Sequence, residues 1–258
     1  MADRYVRVQS GEECYYGLLE VNLSVQLLSC PPWSGGKPIG RVLAPETYKI
    51  LPPCEPSKII GVGKNYHAHA LEMGTETPKE PVIFLKATSA LLPANQPIVI
   101  PSLSNRVDYE GELALVIGQT CAHVSPDRAL SYIWGYTIAN DVTARDIQRK
   151  DGQWSRSKSF DTFCPLGPWI VRDISPTALL QTFLNNNSVA VQSETIDAMV
   201  FAPETIVSFI SEAMTLYPGD VILTGTPSGV GRLTGGDQIA IEIEGIGRLQ
   251  NPVIAEGK

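Results

Sequence analysis

Residues 107–117 read Val107-Asp108-Tyr109-Glu110-Gly111-Glu112-Leu113-Ala114-Leu115-Val116-Ile117: two glutamates, two positions apart, running into an apolar, β-branched end. That pattern predicts a strand rather than a helix. Side chains on a strand alternate faces, so Glu110 and Glu112 share one. Two carboxylates side by side on a strand entering a core repel each other, and a cation, a proton or water between them makes the pair tolerable. An all-oxygen cluster without nearby Cys or His suits a hard divalent ion, Mg2+ or Mn2+. A solvated edge strand with both acids facing water is the alternative reading. A third acid, Asp141, stands in Ala139-Asn140-Asp141-Val142-Thr143-Ala144-Arg145-Asp146.

Outward from this strand, residues 4–29 alternate in a β-rich pattern broken by Gly11, and residues 31–56 are rich in Pro and Gly and read as loop. This predicts a small N-terminal β domain over residues 1–57 and a main domain over 58–258. Ser125-Pro126 and Ser175-Pro176 each predict a helix start, a capping serine followed by proline. Apolar residues at 206, 209, 210, 213 and 214 predict one buried helical face over 203–215. Turn signals at Pro218-Gly219-Asp220 and Gly235-Gly236-Asp237 introduce strands at Val221-Ile222-Leu223 and at Ile239, Ile241 and Ile243. No βαβ rhythm repeats, so the expected class is a β-dominated α+β fold.

A chain of 258 residues with 43% hydrophobic and 18% charged content can fill a core. Its net charge of −7, with no basic run, argues against nucleic acid or an anionic membrane surface as partner. The N-terminus lacks an apolar signal core, and no stretch approaches the ~18 apolar residues needed to span a bilayer. Cysteines at 14, 30, 54, 121 and 164 are odd in number and scattered. They point to a reducing cytoplasm and away from a disulfide framework or a cysteine–zinc site.

Other motifs are weaker alone. Gly61-Val62-Gly63-Lys64-Asn65-Tyr66 fails as a dinucleotide fingerprint because tyrosine stands where glycine is required. Its glycines read as a sharp exit from a strand. His67-Ala68-His69 on a strand could bind zinc, but a histidine-rich site would need all three histidines of the chain. If the segment is helical, His69 and Glu72 are neighbours on one face, and a carboxylate that orients an imidazole makes a base able to deprotonate water. An ordinary exposed helical pair is the plain alternative. Lys86 ends the apolar run Pro81-Val82-Ile83-Phe84-Leu85 and reads as a surface lysine. Trp154 to Asp161 place cations beside an aromatic in a loop. In Gly225-Thr226-Pro227-Ser228-Gly229-Val230-Gly231, backbone N–H groups and the Thr226 hydroxyl could approach an anionic ligand, though a turn explains the glycines equally well.

In order, these blocks resemble the fumarylacetoacetate hydrolase family: Gly63-Lys64-Asn65-Tyr66 with His69-x-x-Glu72; Pro81-x-Ile83-Phe84-x-Lys86; Asp108-Tyr109-Glu110-Gly111-Glu112-Leu113; Asn140 to Asp146; Lys158-Ser159-Phe160-Asp161; and Gly219 to Gly231. The likeness is to its short members, hydrolases of acylpyruvates and decarboxylases of oxaloacetate. It implies a mixed β-sandwich roll with a small N-terminal β subdomain, a homodimer, and one Mg2+ or Mn2+ per subunit. By this resemblance Glu110, Glu112 and Asp141 are metal ligands, Lys158 neutralises an enolate oxygen, and His69 with Glu72 activates water. Lys64, Arg145, Gln148 and Thr226 match positions that face the substrate or support the metal site. Lys64 departs from the arginine common in acylpyruvate-cleaving relatives, so a carboxylate would meet a point charge there rather than a bidentate fork. The implied function is metal-dependent cleavage of a C–C bond in a 1,3-diketo acid, with oxaloacetate decarboxylation on the same site. The alternative is isomerisation, tautomerisation or dehydration of a related 2-oxo acid such as a hydroxymuconate.

Overall fold

The computed structural model describes residues 3–185 and 187–257. The N-terminal strands are β1 (Tyr5–Ser10), β2 (Glu13–Leu19), β3 (Val25–Leu28), β4 (Pro38–Leu43) and β5 (Lys49–Leu51). The span expected as loop therefore holds two strands. β4 pairs with β3 and β5 with β1, so backbone pairing overrides the Pro- and Gly-rich composition. Val6, Val8, Leu19, Val25, Leu27 and Leu43 form a small core here. β1 also meets β14 (Cys164–Val171) at Tyr5 and Ile170, which continues these strands into the main sheet.

Along the rest of the chain come β6 (Ile59–Gly63), α1 (His67–Glu72), β7 (Val82–Lys86), β8 (Leu91–Leu92), β9 (Ile98–Ile100), β10 (Val107–Tyr109) and β11 (Gly111–Ile117). Then follow α2 (Pro126–Ala129), β12 (Ile133–Asn140), β13 (Thr143–Ala144), α3 (Arg145–Asp151) and α4 (Ser155–Lys158), with β15 (Leu179–Leu184) and β16 (Gln192–Thr195) after β14. The chain closes with α5 (Pro203–Ala213), β17 (Val221–Leu223), β18 (Gly231–Arg232), β19 (Gln238–Ile243) and β20 (Gly247–Ala255).

The main sheet runs β4-β3-β2-β1-β14-β12-β11-β17-β6-β7, and a second sheet runs β16-β15-β19-β20-β9. A short sheet, β13-β10-β18, lies beside the acidic segment. The pairing is mixed: β6 runs parallel to β17, while β11 is antiparallel to both its neighbours. Every residue of β11 is buried, because Leu113, Leu115 and Ile117 face one hydrophobic cluster while Ala114 and Val116 face another. That double burial explains its unbroken apolar run. The fold is strand-dominated, as expected.

Two helix expectations need correction. Ser175-Pro176 starts no helix; the Ser175 hydroxyl instead accepts the Thr177 N–H at 3.3 Å in a turn. In α5 the buried residues are Ile206, Val207, Ile210 and Ser211: positions 206 and 210 face inward as expected, 209 and 213 do not, and Met214 just past the helix packs half-buried against the same cluster. The inward face also carries the Ser211 hydroxyl, which accepts the Val124 N–H at 2.9 Å. No helix among the described residues is long and apolar enough to cross a membrane.

Candidate active site

The two acidic segments are hydrogen-bonded neighbours. β11 pairs with β12 so that Gly111 opposes Asn140, and the Asp141 N–H donates to the Glu110 carbonyl at 2.8 Å. Glu110 itself sits in the break between β10 and β11, where the chain exchanges one set of strand partners for another. The Asn140 side-chain oxygen accepts the Glu110 N–H at 2.9 Å in that gap. Glu110, Glu112 and Asp141 are all buried and each offers an oxygen within 4.8 Å of the others. The solvated-edge alternative is excluded.

Three cations surround the acids. Lys158, the last residue of α4, donates to Glu110 at 2.7 Å and also to Asp141 Oδ2. Arg145, the first residue of α3, donates to Glu110 Oε1 and, at 2.9 Å, to Asp108. Lys86, at the end of β7, donates to Asp141 Oδ1 at 2.5 Å and to the Phe163 carbonyl at 3.0 Å. Lys86 is thus no surface residue: it is 3% exposed, because the register pairing Ile59 with Lys86 turns its side chain inward.

Among the described residues Glu112 alone of the three acids has no ion pair; its Oε2 accepts the Gly225 N–H at 2.6 Å. The consequences are opposite. For Glu110, burial pushes the carboxyl upward, but Arg145 and then Lys158 outweigh it and hold the group well below the usual carboxylate range. For Glu112, burial and then the neighbouring Asp141 and Glu110 push the carboxyl well above that range. Burial would lower the Lys158 ammonium, yet Asp141 and Glu110 together raise it, so it stays cationic. Convergent buried oxygens with one uncompensated carboxylate fit a hard divalent ion.

The segment carrying the histidines is helical. His69 Nδ1 lies 3.2 Å from Glu72 Oε2, and the Gly229 N–H reaches the same carboxylate at 3.1 Å. An ionised carboxylate only accepts, so Nδ1 carries the proton and Nε2 is left as the basic nitrogen. His67 turns away to the Thr77 hydroxyl at 2.8 Å, which removes any H-x-H zinc arrangement. The glycine-rich loop supplies N–H groups to anions as expected, but these anions are the protein's own Glu112 and Glu72.

One cavity of about 50 Å3 gathers Lys64, His69, Glu110, Glu112, Asp141, Arg145, Gln148, Lys158 and Thr226. Glu72 stands behind His69. Arg145 Nη1 donates to Gln148 Oε1 at 3.1 Å, and the amide's NH2 group has no partner among the described residues. The Thr226 hydroxyl donates to the Gly111 carbonyl at 2.9 Å and accepts from Gln192 at 2.8 Å, so its proton braces the acidic segment. Lys64 has no ion pair or side-chain hydrogen bond among the described residues.

Sequence reasoning missed Lys86, Gln192 and the apolar wall of Met73, Phe84 and Trp154. An inward lysine leaves no local signal, since its burial depends on which strand it pairs with. The pair Gly61 and Gly63 was a legible hint: a Cβ at either would collide with the Phe84 or the Trp154 ring. These glycines serve close packing rather than a turn.

Residues 58–254 match the family model "Fumarylacetoacetate (FAA) hydrolase C-terminal", and residues 3–53 match "Rv2993c-like, N-terminal". The crystal structure of 2-hydroxyhepta-2,4-diene-1,7-dioate isomerase from Mycobacterium marinum superposes with a TM-score of 0.91 at 42% identity, covering 100% of both chains. Fumarylpyruvate hydrolase from Pseudomonas aeruginosa, solved with Mn2+ and pyruvate, gives a TM-score of 0.74 at 30% identity over 81% of this chain and 92% of that one. Oxaloacetate tautomerase Fahd2a, mitochondrial, from Rattus norvegicus is 40% identical over 215 residues, 80% of this chain and 69% of the relative.

Proposed function

Because the chain belongs to the fumarylacetoacetate hydrolase family, whose members are enzymes, we propose that it hydrolyses a C–C bond in acylpyruvate-type 1,3-diketo acids and decarboxylates oxaloacetate on the same site. The observation that carries this reading is the His69–Glu72 pair opening onto the same cavity as the three buried acids. Glu110, Glu112 and Asp141 are the residues to hold Mg2+ or Mn2+, which when bound supplies Lewis-acid stabilisation of an enolate. The likeness to a hydrolase solved with Mn2+ and pyruvate supports that assignment.

In hydrolysis, His69 Nε2 takes a proton from water, and the oxygen adds to the carbonyl remote from the carboxylate. The C–C bond then breaks, its electron pair leaving with the pyruvate fragment as an enolate. Glu72, held by the Gly229 N–H, keeps the imidazole oriented and balances the charge it gains. The Lys158 ammonium faces the developing negative charge, the step both reactions share. In decarboxylation, loss of CO2 from oxaloacetate delivers the same electron pair to the same fragment, and no water is activated. Gln148 and Lys64 offer donors to substrate oxygens.

Purified protein supplied with Mg2+ or Mn2+ should cleave acetylpyruvate, fumarylpyruvate or oxaloacetate. Turnover of none of the three overturns the reading. The likeness to an isomerase and a tautomerase favours a second one, keto–enol or double-bond migration without cleavage. Proton NMR of the products separates the two.

A further inference from the structure

Apart from Val62 and Gly63, the apolar surface of the cavity comes from Met73, Phe84 and Trp154; the rest is charged or polar. An apolar substituent on the substrate must lie against that wall, because anywhere else it would strip water from charged groups. The wall is set close. Phe84 and Trp154 pack edge to face at 5.4 Å, both half-buried, on the backbone of β6 where Gly61 and Gly63 lack side chains. The Lys158 ammonium lies 4.8 Å from the Phe84 ring centre, on its face. The rings already occupy the space that those glycines leave, so they cannot retreat toward β6. The cavity they bound, about 50 Å3, holds roughly three to five waters.

Resting on the function proposed above, the geometry points to Trp154 as the residue that sets substrate length, admitting 2-oxo acids with compact tails and excluding long acyl or aryl tails. Trp154 touches the tail rather than the reacting atoms and is a specificity residue. Its backbone carbonyl accepts the Lys158 N–H at 3.2 Å and the Ser157 hydroxyl at 2.7 Å. Those bonds survive any change of side chain, so α4 keeps its first turn when the ring is removed.

The test uses two series on the Mg2+-loaded protein. Kinetics compare acetylpyruvate with hexanoylpyruvate. Calorimetry compares binding of 2-oxobutanoate and 2-oxooctanoate, which carry no cleavable bond and so report on the wall even if acylpyruvates prove not to be substrates. The wild type should favour the shorter member of each series. Trp154→Ala should move the long-to-short ratio by about tenfold or more toward the long member, with Trp154→Phe between. An unchanged ratio, a wild type that already prefers the long member, or equal loss for both lengths overturns the inference; the last would mean that Trp154 supports Lys158 instead. A ratio that shifts in binding while no acylpyruvate is cleaved would uphold the wall and defeat the hydrolase reading.

Discussion

Lys86 Nζ lies 2.5 Å from Asp141 Oδ1, both groups essentially without solvent contact. A lysine and an aspartate separated by 55 positions thus form a buried ion pair behind the cavity wall. The pair commits one Asp141 oxygen to the protein and leaves the other facing Lys158 and the remaining acids.

Removing that lysine leaves Asp141 paired with Lys158 alone among the described residues. Lys86→Met should destabilise the metal-free protein by roughly 1.5–3 kcal/mol, the range for a lost hydrogen bond to a charged group, because Lys158 still meets Asp141. Urea denaturation measures it; a loss under about 1 kcal/mol would mean that Asp141 is held by other contacts.

Glu112 should behave in the opposite sense. Its carboxyl is pushed up, so in the metal-free protein its ionisation opposes folding: stability is higher where the group is protonated and falls as pH rises above the ordinary carboxylate value. Glu112→Gln should therefore raise the melting temperature of the metal-stripped protein near neutral pH. The same variant should lose the stabilisation that Mg2+ or Mn2+ gives the wild type, a gain that should itself grow from pH 5 to pH 7.5. Thermal scans with ion and with chelator at both pH values decide; a variant that gains from the ion as the wild type does removes Glu112 from the ligand set.

In the proposed hydrolysis His69 acts on water, and only one of the two proposed reactions uses water. His69→Ala should lower kcat for acylpyruvate hydrolysis by about 10²- to 10⁴-fold while slowing oxaloacetate decarboxylation far less. Parallel steady-state assays test the division, and equal losses in both would defeat it.

Lys64 is the cavity-lining cation whose charge the protein leaves unspent among the described residues, whereas Lys158 and Arg145 are committed to carboxylates. Lys64→Gln should raise KM for the dicarboxylates oxaloacetate and fumarylpyruvate by about tenfold, with little change for acetylpyruvate. A uniform rise across all three would show that the lysine meets the shared carboxylate end.

Much of the site was legible because its signals are local. Alternation put Glu110 and Glu112 on one side, and the apolar run to Ile117 marked a strand buried on both faces. The i, i+3 spacing of His69 and Glu72 needed only that the segment be helical, which it is. Local reading failed where partners decide. The strand pairs of β4 and β5, the buried face of α5 and the inward Lys86 all depend on contacts between distant segments.

The order of residues alone determined that Glu110 and Glu112 share one side of a segment running into a core, because side-chain type and period-two alternation are properties of a short stretch. Tertiary structure alone decided how charge is shared among them. Glu110 is neutralised and Glu112 is not, since cations on β7, α3 and α4 reach Asp141 and Glu110 and stop short of Glu112. Electrostatic energy depends on distances of a few ångströms between segments far apart in the chain, and only the folded arrangement of the strands sets those distances.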